Sequence, residues 1–216
     1  MHNTITFEEA AASTATGDVW LFRGKTPADR AIRLFTNSPV NHVSMVLALD
    51  GLPPLLWHAD LSARIPDVWT GTKQRGAQLH QLLHAASVWK HRYGQRAWIR
   101  QIDVQLDPTI EDQALAVVEE FAGLPFPGAT SLAKRWLKGR VRRSVPLADL
   151  FCAELVAITY ERMGLLDSKR PANWYDPGKF WSGDRLPLVG ASLGREVEVI
   201  DIPTPDDQWF HATAMQ

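Results

Sequence analysis

Apolar residues recur along the chain in short runs whose spacing switches between two and three-to-four. Phe7 to Thr14 has the spacing of a short helix, broken at Gly17-Asp18. Val19-Trp20-Leu21-Phe22 is an unbroken apolar run of strand length. Thr26-Pro27 then opens a helix, with threonine as cap and proline at the first helical position. Ala31, Ile32 and Phe35 are its predicted inward face, and Asn37-Ser38-Pro39 ends it. Asn41 to Leu49 alternates. Val43, Met45, Leu47 and Leu49 form one apolar face; His42, Ser44, Val46 and Ala48 form the opposite, small-residue face. Asp50-Gly51 is a turn signal, and Leu55 to Leu61 is the returning arm of a hairpin. Antiparallel pairing sets the start of the first arm beside the end of the second, so His42 and His58 are expected close together. A slip of one residue would turn one of them to the other face.

Gly76 to Leu83 and Ala97 to Val104 read as two further strands. Asp107-Pro108-Thr109 opens a helix through Glu120, with Ala114, Leu115, Val117, Val118 and Phe121 as its apolar positions. Gly123 to Gly128 is a Pro/Gly loop, and Ser131 to Arg143 a further helix. After Phe151, the residues Leu155, Val156, Thr159 and Met163 fall on one helical stripe, closed by Gly164. Asp149 is the candidate cap. Cys152 then lies in the first turn, on the face shared by Val156, Thr159 and Met163. Pro171 to Pro187 is irregular and aromatic-rich, and Val197 to Ile202 is a last strand. No repeat or linker interrupts the pattern, which predicts one α+β domain over residues 1–216 with its core at about 17–202.

Composition narrows the function classes. The chain has 216 residues, 45% of them hydrophobic, and a formal net charge of −1, which makes no general case for a nucleic-acid partner. Its one cysteine cannot form an internal disulfide. The first residues lack a basic region followed by an apolar run, and no run reaches membrane-span length; the expectation is a cytoplasmic protein. Lys134, Arg135, Lys138, Arg140, Arg142 and Arg143 place six positive charges within ten residues. Such a run is ordinarily a solvated face. With Leu132, Trp136, Leu137 and Val141 interleaved, it also suits an anionic membrane or an acidic partner. His80, His84 and His91 are too widely spaced for a metal site and read as solvated surface histidines; His2 and His211 read as inert. Asp60 shares a strand face with His58 and reads as an exposed charge, with a supporting contact to His58 as the alternative. Glu154 reads as helix-terminus stabilisation. No metal or cofactor is expected.

A lone cysteine is by default a small buried hydrophobe. A histidine opening one strand, a polar residue on the next and a cysteine opening a helix change that reading. A cysteine hydrolase needs this set: a thiolate to attack a carbonyl, an imidazole to handle the proton, and a third group to orient the imidazole. The helix N-terminus favours the thiolate, burial opposes it, and enzyme chemistry requires the first to win.

Three stretches resemble the permuted papain-like family, the YiiX-like branch of the NlpC-type cysteine peptidase superfamily, related to lecithin–retinol acyltransferase. Gly17-Asp18-Val19-Trp20-Leu21-Phe22 resembles its opening strand, Asn41-His42-Val43-Ser44-Met45-Val46 its histidine strand, and Phe151-Cys152-Ala153-Glu154-Leu155-Val156 its nucleophile helix. Ser44 and Ala153 replace a common Gly and Ser, and His58 stands where YiiX-like members often have Glu, although related members use histidine. The resemblance spans roughly residues 17 to 165. It implies a circularly permuted papain-like fold and cysteine–histidine chemistry on an amide, ester or thioester. The expected triad is Cys152 as nucleophile, His42 as base and His58 as orienter, acting on a peptide, isopeptide or lipid acyl substrate. The alternatives are a non-catalytic binding module and a membrane-surface adaptor on the same fold.

Overall fold

The hairpin anticipated from His42 onward supplies two inner strands of a seven-stranded sheet. A computed structural model describes residues 3–60, 62–104, 108–124, 151–167, 169–184 and 186–205. In chain order the sheet strands are β1 (Thr4–Thr6), β2 (Val19–Arg23), β3 (His42–Leu47), β4 (Leu55–Asp60), β5 (Gly76–Gln81), β6 (Arg96–Arg100) and β9 (Val197–Ile200). They lie in the order β1-β9-β6-β2-β3-β4-β5, and only the β1–β9 pair is parallel. β7 (Ile102–Asp103) and β8 (Ser192–Leu193) form a separate two-stranded ribbon. The architecture is therefore α+β with a mostly antiparallel sheet, as the pattern predicted.

Two apolar layers cover the sheet. The helix α5 (Cys152–Arg162) lies against β3 and β4 and buries Leu155, Val156 and Thr159 completely. With it pack Val43, Met45 and Leu47 from β3 and Leu55, Trp57 and Ala59 from β4. The helix α4 (Pro108–Phe121) backs α5 from outside. The opposite face carries Trp20, Phe22, Val46 and Leu56. It is closed by α1 (Phe7–Ser13) and α3 (Leu82–Tyr93) through Phe7, Ala10, Leu82, Ala85, Ala86 and Trp89. Period-two alternation in β3 and β4 thus serves two cores, one on each side of the sheet.

Three expectations need correction. Residues 82–93 are helix α3, where a strand reading ran on to Leu83 and left the following residues unassigned. Leu82, Ala85, Ala86 and Trp89 have the spacing i, i+3, i+4, i+7, and Gly94 closes the helix in the left-handed region at φ 61°. The predicted strand over 97–104 is split into β6 and β7 at Gln101. The helix predicted at Thr26-Pro27 forms as α2 (Pro27–Thr36) with a Thr26–Asp29 capping box, but no residue of it is buried, so Ala31, Ile32 and Phe35 do not face a core. The expected helix over 131–143, its basic residues, Asp149, His2 and His211 lie outside the described residues. Among the described residues no helix is long and apolar enough to cross a membrane.

One buried hydrogen bond ties the cysteine helix to the sheet. Trp57 Nε1–H donates to Thr159 Oγ1 at 3.1 Å, and the Thr159 hydroxyl donates to the Leu155 carbonyl at 2.8 Å. Trp57→Phe removes the donor and leaves a gap beside α5. Destabilisation of about 2 kcal/mol is expected, read as a lower urea midpoint at unchanged slope.

Candidate active site

The site begins where two strands part. β2 and β3 pair along their length, from Val19↔Met45 to Phe22↔His42. The β3–β4 ladder runs only from Leu47↔Leu55 to Met45↔Trp57. Beyond it the pairing is lost, and Val43 and Ala59 are both fully buried. Val46 N–H donates to the Asp18 carbonyl across β2–β3, so alternation directs the Val43 N–H the other way, toward β4. That amide interacts with the Cys152 sulfur.

Cys152 is the first residue of α5, with Phe151 as a cap that offers no side-chain hydrogen bond. Its sulfur meets the backbone N–H groups of Val43, Ala153 and Cys152 itself, all of which favour the thiolate. Burial acts the other way and is stronger: it pushes the thiol up to about 11, with the Asp60 charge adding to the rise. The expectation that the helix terminus would prevail is thus corrected, and the thiol is neutral at pH 7.

The histidines form a staircase. Continuing the β3–β4 register places His42 opposite Asp60 and Ser44 opposite His58, so His42 and His58 are diagonal neighbours on one face. His42 Nε2 lies 3.2 Å from His58 Nδ1. In the β4–β5 register Leu56↔His80 flanks His58↔Gln78, which sets His80 one further diagonal step across. His58 Nε2 lies 3.0 Å from His80 Nδ1. His58 is 0% and His80 1% exposed, while His42 keeps partial access to solvent. Trp89 of α3 stands edge-on to both His42 and His58, with ring centroids 5.3 and 5.0 Å away, and Phe22 flanks His42.

The reading of His80 as a solvated surface residue is therefore wrong. Its partner strand buries it, and α3, the helix missed in the sequence, covers the row. Burial holds all three imidazoles below their usual range: His42 lowered, His58 lowered well below, and His80 down to about 4. Asp60 resists this at His42 and His80. Its carboxylate accepts from the Ser62 N–H and hydroxyl, so it acts on the histidines through charge. His80 Nε2 has no hydrogen-bond partner among the described residues, while the Ile65 backbone favours the protonated ring and so opposes part of the lowering. His91, an exposed residue, meets the Ile202 carbonyl with its ring, and Glu154 is buried in the first turn of α5.

The structure thus brings His42 and His58 together and adds His80. Among the described residues no hydrogen bond joins Cys152 to His42. The His42 ring stands with Ser44 on the α3 face, whereas the thiol packs with Val43 on the α5 face. Between them the β3–β4 ladder is interrupted, and the Val43 amide brings the sulfur to the residue next to His42. Among the described residues no group of His, Cys, Asp and Glu is arranged to hold a metal ion.

No protein-family model matches the chain, and no curated protein matches it. Among solved structures the chain is similar to the metalloprotein YiiX of Escherichia coli O157:H7, DUF1105. The two share 14% sequence identity at a TM-score of 0.49, over 89% of this chain and 99% of that one.

Two outcomes follow from the charge states. Alkylation of Cys152 by iodoacetamide should be slow at pH 7 and rise about tenfold per pH unit toward pH 11, read as a single mass shift. An advantage over a free thiol at pH 6 to 7 would contradict the buried, neutral state. The depressed histidines make stability fully present above about pH 6.5 and lost progressively as pH falls to about 4, because only the unfolded chain takes up their protons in that window. His80 alone accounts for about 3 kcal/mol of this. His80→Phe should flatten the urea midpoint against pH between those values; an unchanged profile would show that His80 is not held neutral.

Proposed function

We propose that the protein is a cysteine-dependent hydrolase or acyltransferase on a permuted papain-like fold, acting on an amide, ester or thioester of a peptide or lipid acyl group. The observation that supports this reading is the hydrogen-bonded His42–His58 pair beside Val43, whose backbone N–H meets the Cys152 sulfur at the first turn of α5. His42 Nδ1, the ring nitrogen not engaged by His58, is the base.

For that nitrogen to be bare, His42 Nε2 must carry the proton and donate to His58 Nδ1. His58 Nε2–H then donates to His80 Nδ1, which leaves the remaining His80 proton on Nε2. Since thiol and imidazole are both neutral at rest and face opposite sides of the sheet, the reaction requires the His42 ring to come within reach of the sulfur, so that the S–H proton passes to His42 Nδ1 as sulfur bonds to the substrate carbonyl carbon. The backbone N–H of Cys152 helps hold the resulting oxyanion. Collapse expels the leaving group, which takes the proton from His42 and leaves a thioester on Cys152. Water or a second acceptor, deprotonated by His42, then releases the acyl group.

A second reading, a binding module that keeps the fold without turnover, is favoured by the buried neutral thiol and its lack of a hydrogen bond to His42. Intact-mass measurement after exposure to acyl esters, thioesters and amides separates the two. An acyl adduct on the wild type, absent from Cys152→Ser and His42→Ala, is the expected result. His58→Ala should retain the fold but lose about 10²- to 10⁴-fold in rate, the cost of a wrong tautomer. Absence of any adduct across the panel would favour the binding module.

A further inference from the structure

The helix α2 has an odd composition for its position. It is a ten-residue helix with no buried residue, yet Leu34 and Phe35 are 83% and 69% exposed. A cavity of about 510 Å³ runs beside its C-terminal half, with Arg23, Arg30, Arg33 and Leu34 in its wall. Among the described residues none of the three arginines takes part in an ion pair. The nearby acid, Asp29, has its carboxylate committed to the Thr26 N–H and hydroxyl and to the Asn41 amide. The guanidinium of Arg33 feels partial burial and the positive charges of Arg23 and Arg30, against which Asp29 offers the one opposing charge. Positive charge is therefore concentrated in a concavity and left uncompensated, directly beside exposed apolar side chains.

We propose that α2 and this arginine pocket dock the protein on an anionic phospholipid surface. Guanidinium forks suit phosphate oxygens, which the pocket would take from lipid headgroups. Leu34 and Phe35 enter the boundary between headgroups and acyl chains, the arrangement of an interfacial helix with basic and apolar faces. Charge complementarity selects this occupant. A zwitterionic surface offers no net attraction to three unpaired cations, and a purely apolar partner would leave them buried without counter-charge. Arg23 follows Phe22, the register partner of His42, so the docked face lies at the His42 end of β3. The inference concerns α2 alone and does not depend on the chemistry of Cys152.

The test is co-sedimentation of the full chain with vesicles of phosphatidylcholine, alone or mixed with phosphatidylglycerol, over a salt series. Wild-type protein is expected to pellet with the mixed vesicles only, and less as salt rises. Arg30→Gln/Arg33→Gln should weaken this by roughly tenfold or more. Leu34→Ser should weaken it too while leaving the salt dependence in place. These positions are not buried, so a matched unfolding midpoint confirms that each variant is folded. Equal pelleting of wild type and the double variant would overturn the proposal, as would the absence of binding. Titration with inorganic phosphate, followed by arginine side-chain resonances, is the second arm: a phosphate response without vesicle binding identifies a soluble-anion site and overturns the membrane assignment. So would a wild-type dimer that Leu34→Ser converts to monomer, since a second copy would then cover the face.

Discussion

An imidazole taken out of water must find partners for its ring nitrogens or forfeit the cost of desolvating them, a few kcal/mol per unsatisfied group. That constraint organises the middle of this protein. His58 cannot be fully buried alone; it is buried because His42 and His80 stand at both of its nitrogens. Those contacts exist only if β3, β4 and β5 hold one register, since each step of the staircase is a diagonal between neighbouring strands. They stay dry only if α3 lays Trp89 over the row. Register, lid helix and histidine row therefore support one another.

The same burial sets the chemistry. A helix N-terminus and the Val43 amide pull the thiol toward ionisation, and removal from solvent pulls further the other way. The balance leaves the Cys152 thiol and the buried imidazoles of His42 and His58 uncharged at rest. A resting ion pair would be more reactive toward any electrophile. On the proposed reading, a neutral pair reserves reactivity for a ligand that changes its dielectric surroundings.

Much of this was legible in the residues. The alternation of Asn41 to Leu49, the Asp50-Gly51 turn and the stripe Leu155, Val156, Thr159, Met163 placed His42, His58 and Cys152 on their elements, because local spacing decides which face a residue takes. His80 was not legible as a member. Its sequence surroundings resemble those of an exposed histidine, and what buries it is a strand twenty-two positions earlier together with a helix whose periodicity the strand reading swallowed. The exposure of α2 was invisible for a related reason. An apolar stripe says that a face seeks cover, and says nothing about whether the chain itself supplies it.

The approach to His42 carries a restriction on how the sequence can change. Gly24 N–H donates to Asn41 Oδ1, Asn41 Nδ2–H donates to Asp29 Oδ1, and the Asp29 carboxylate in turn caps α2 through Thr26. A Cβ built on Gly24 would overlap the Asp29 carboxylate. No side chain can therefore appear at position 24 while Asp29 stays in place, and Asp29 cannot leave without freeing Asn41, the residue that aims the start of β3. Positions 24, 29 and 41 form a locked trio: across natural variants of this chain they should be retained as a set or replaced as a set, and a single departure would first loosen the strand that presents His42.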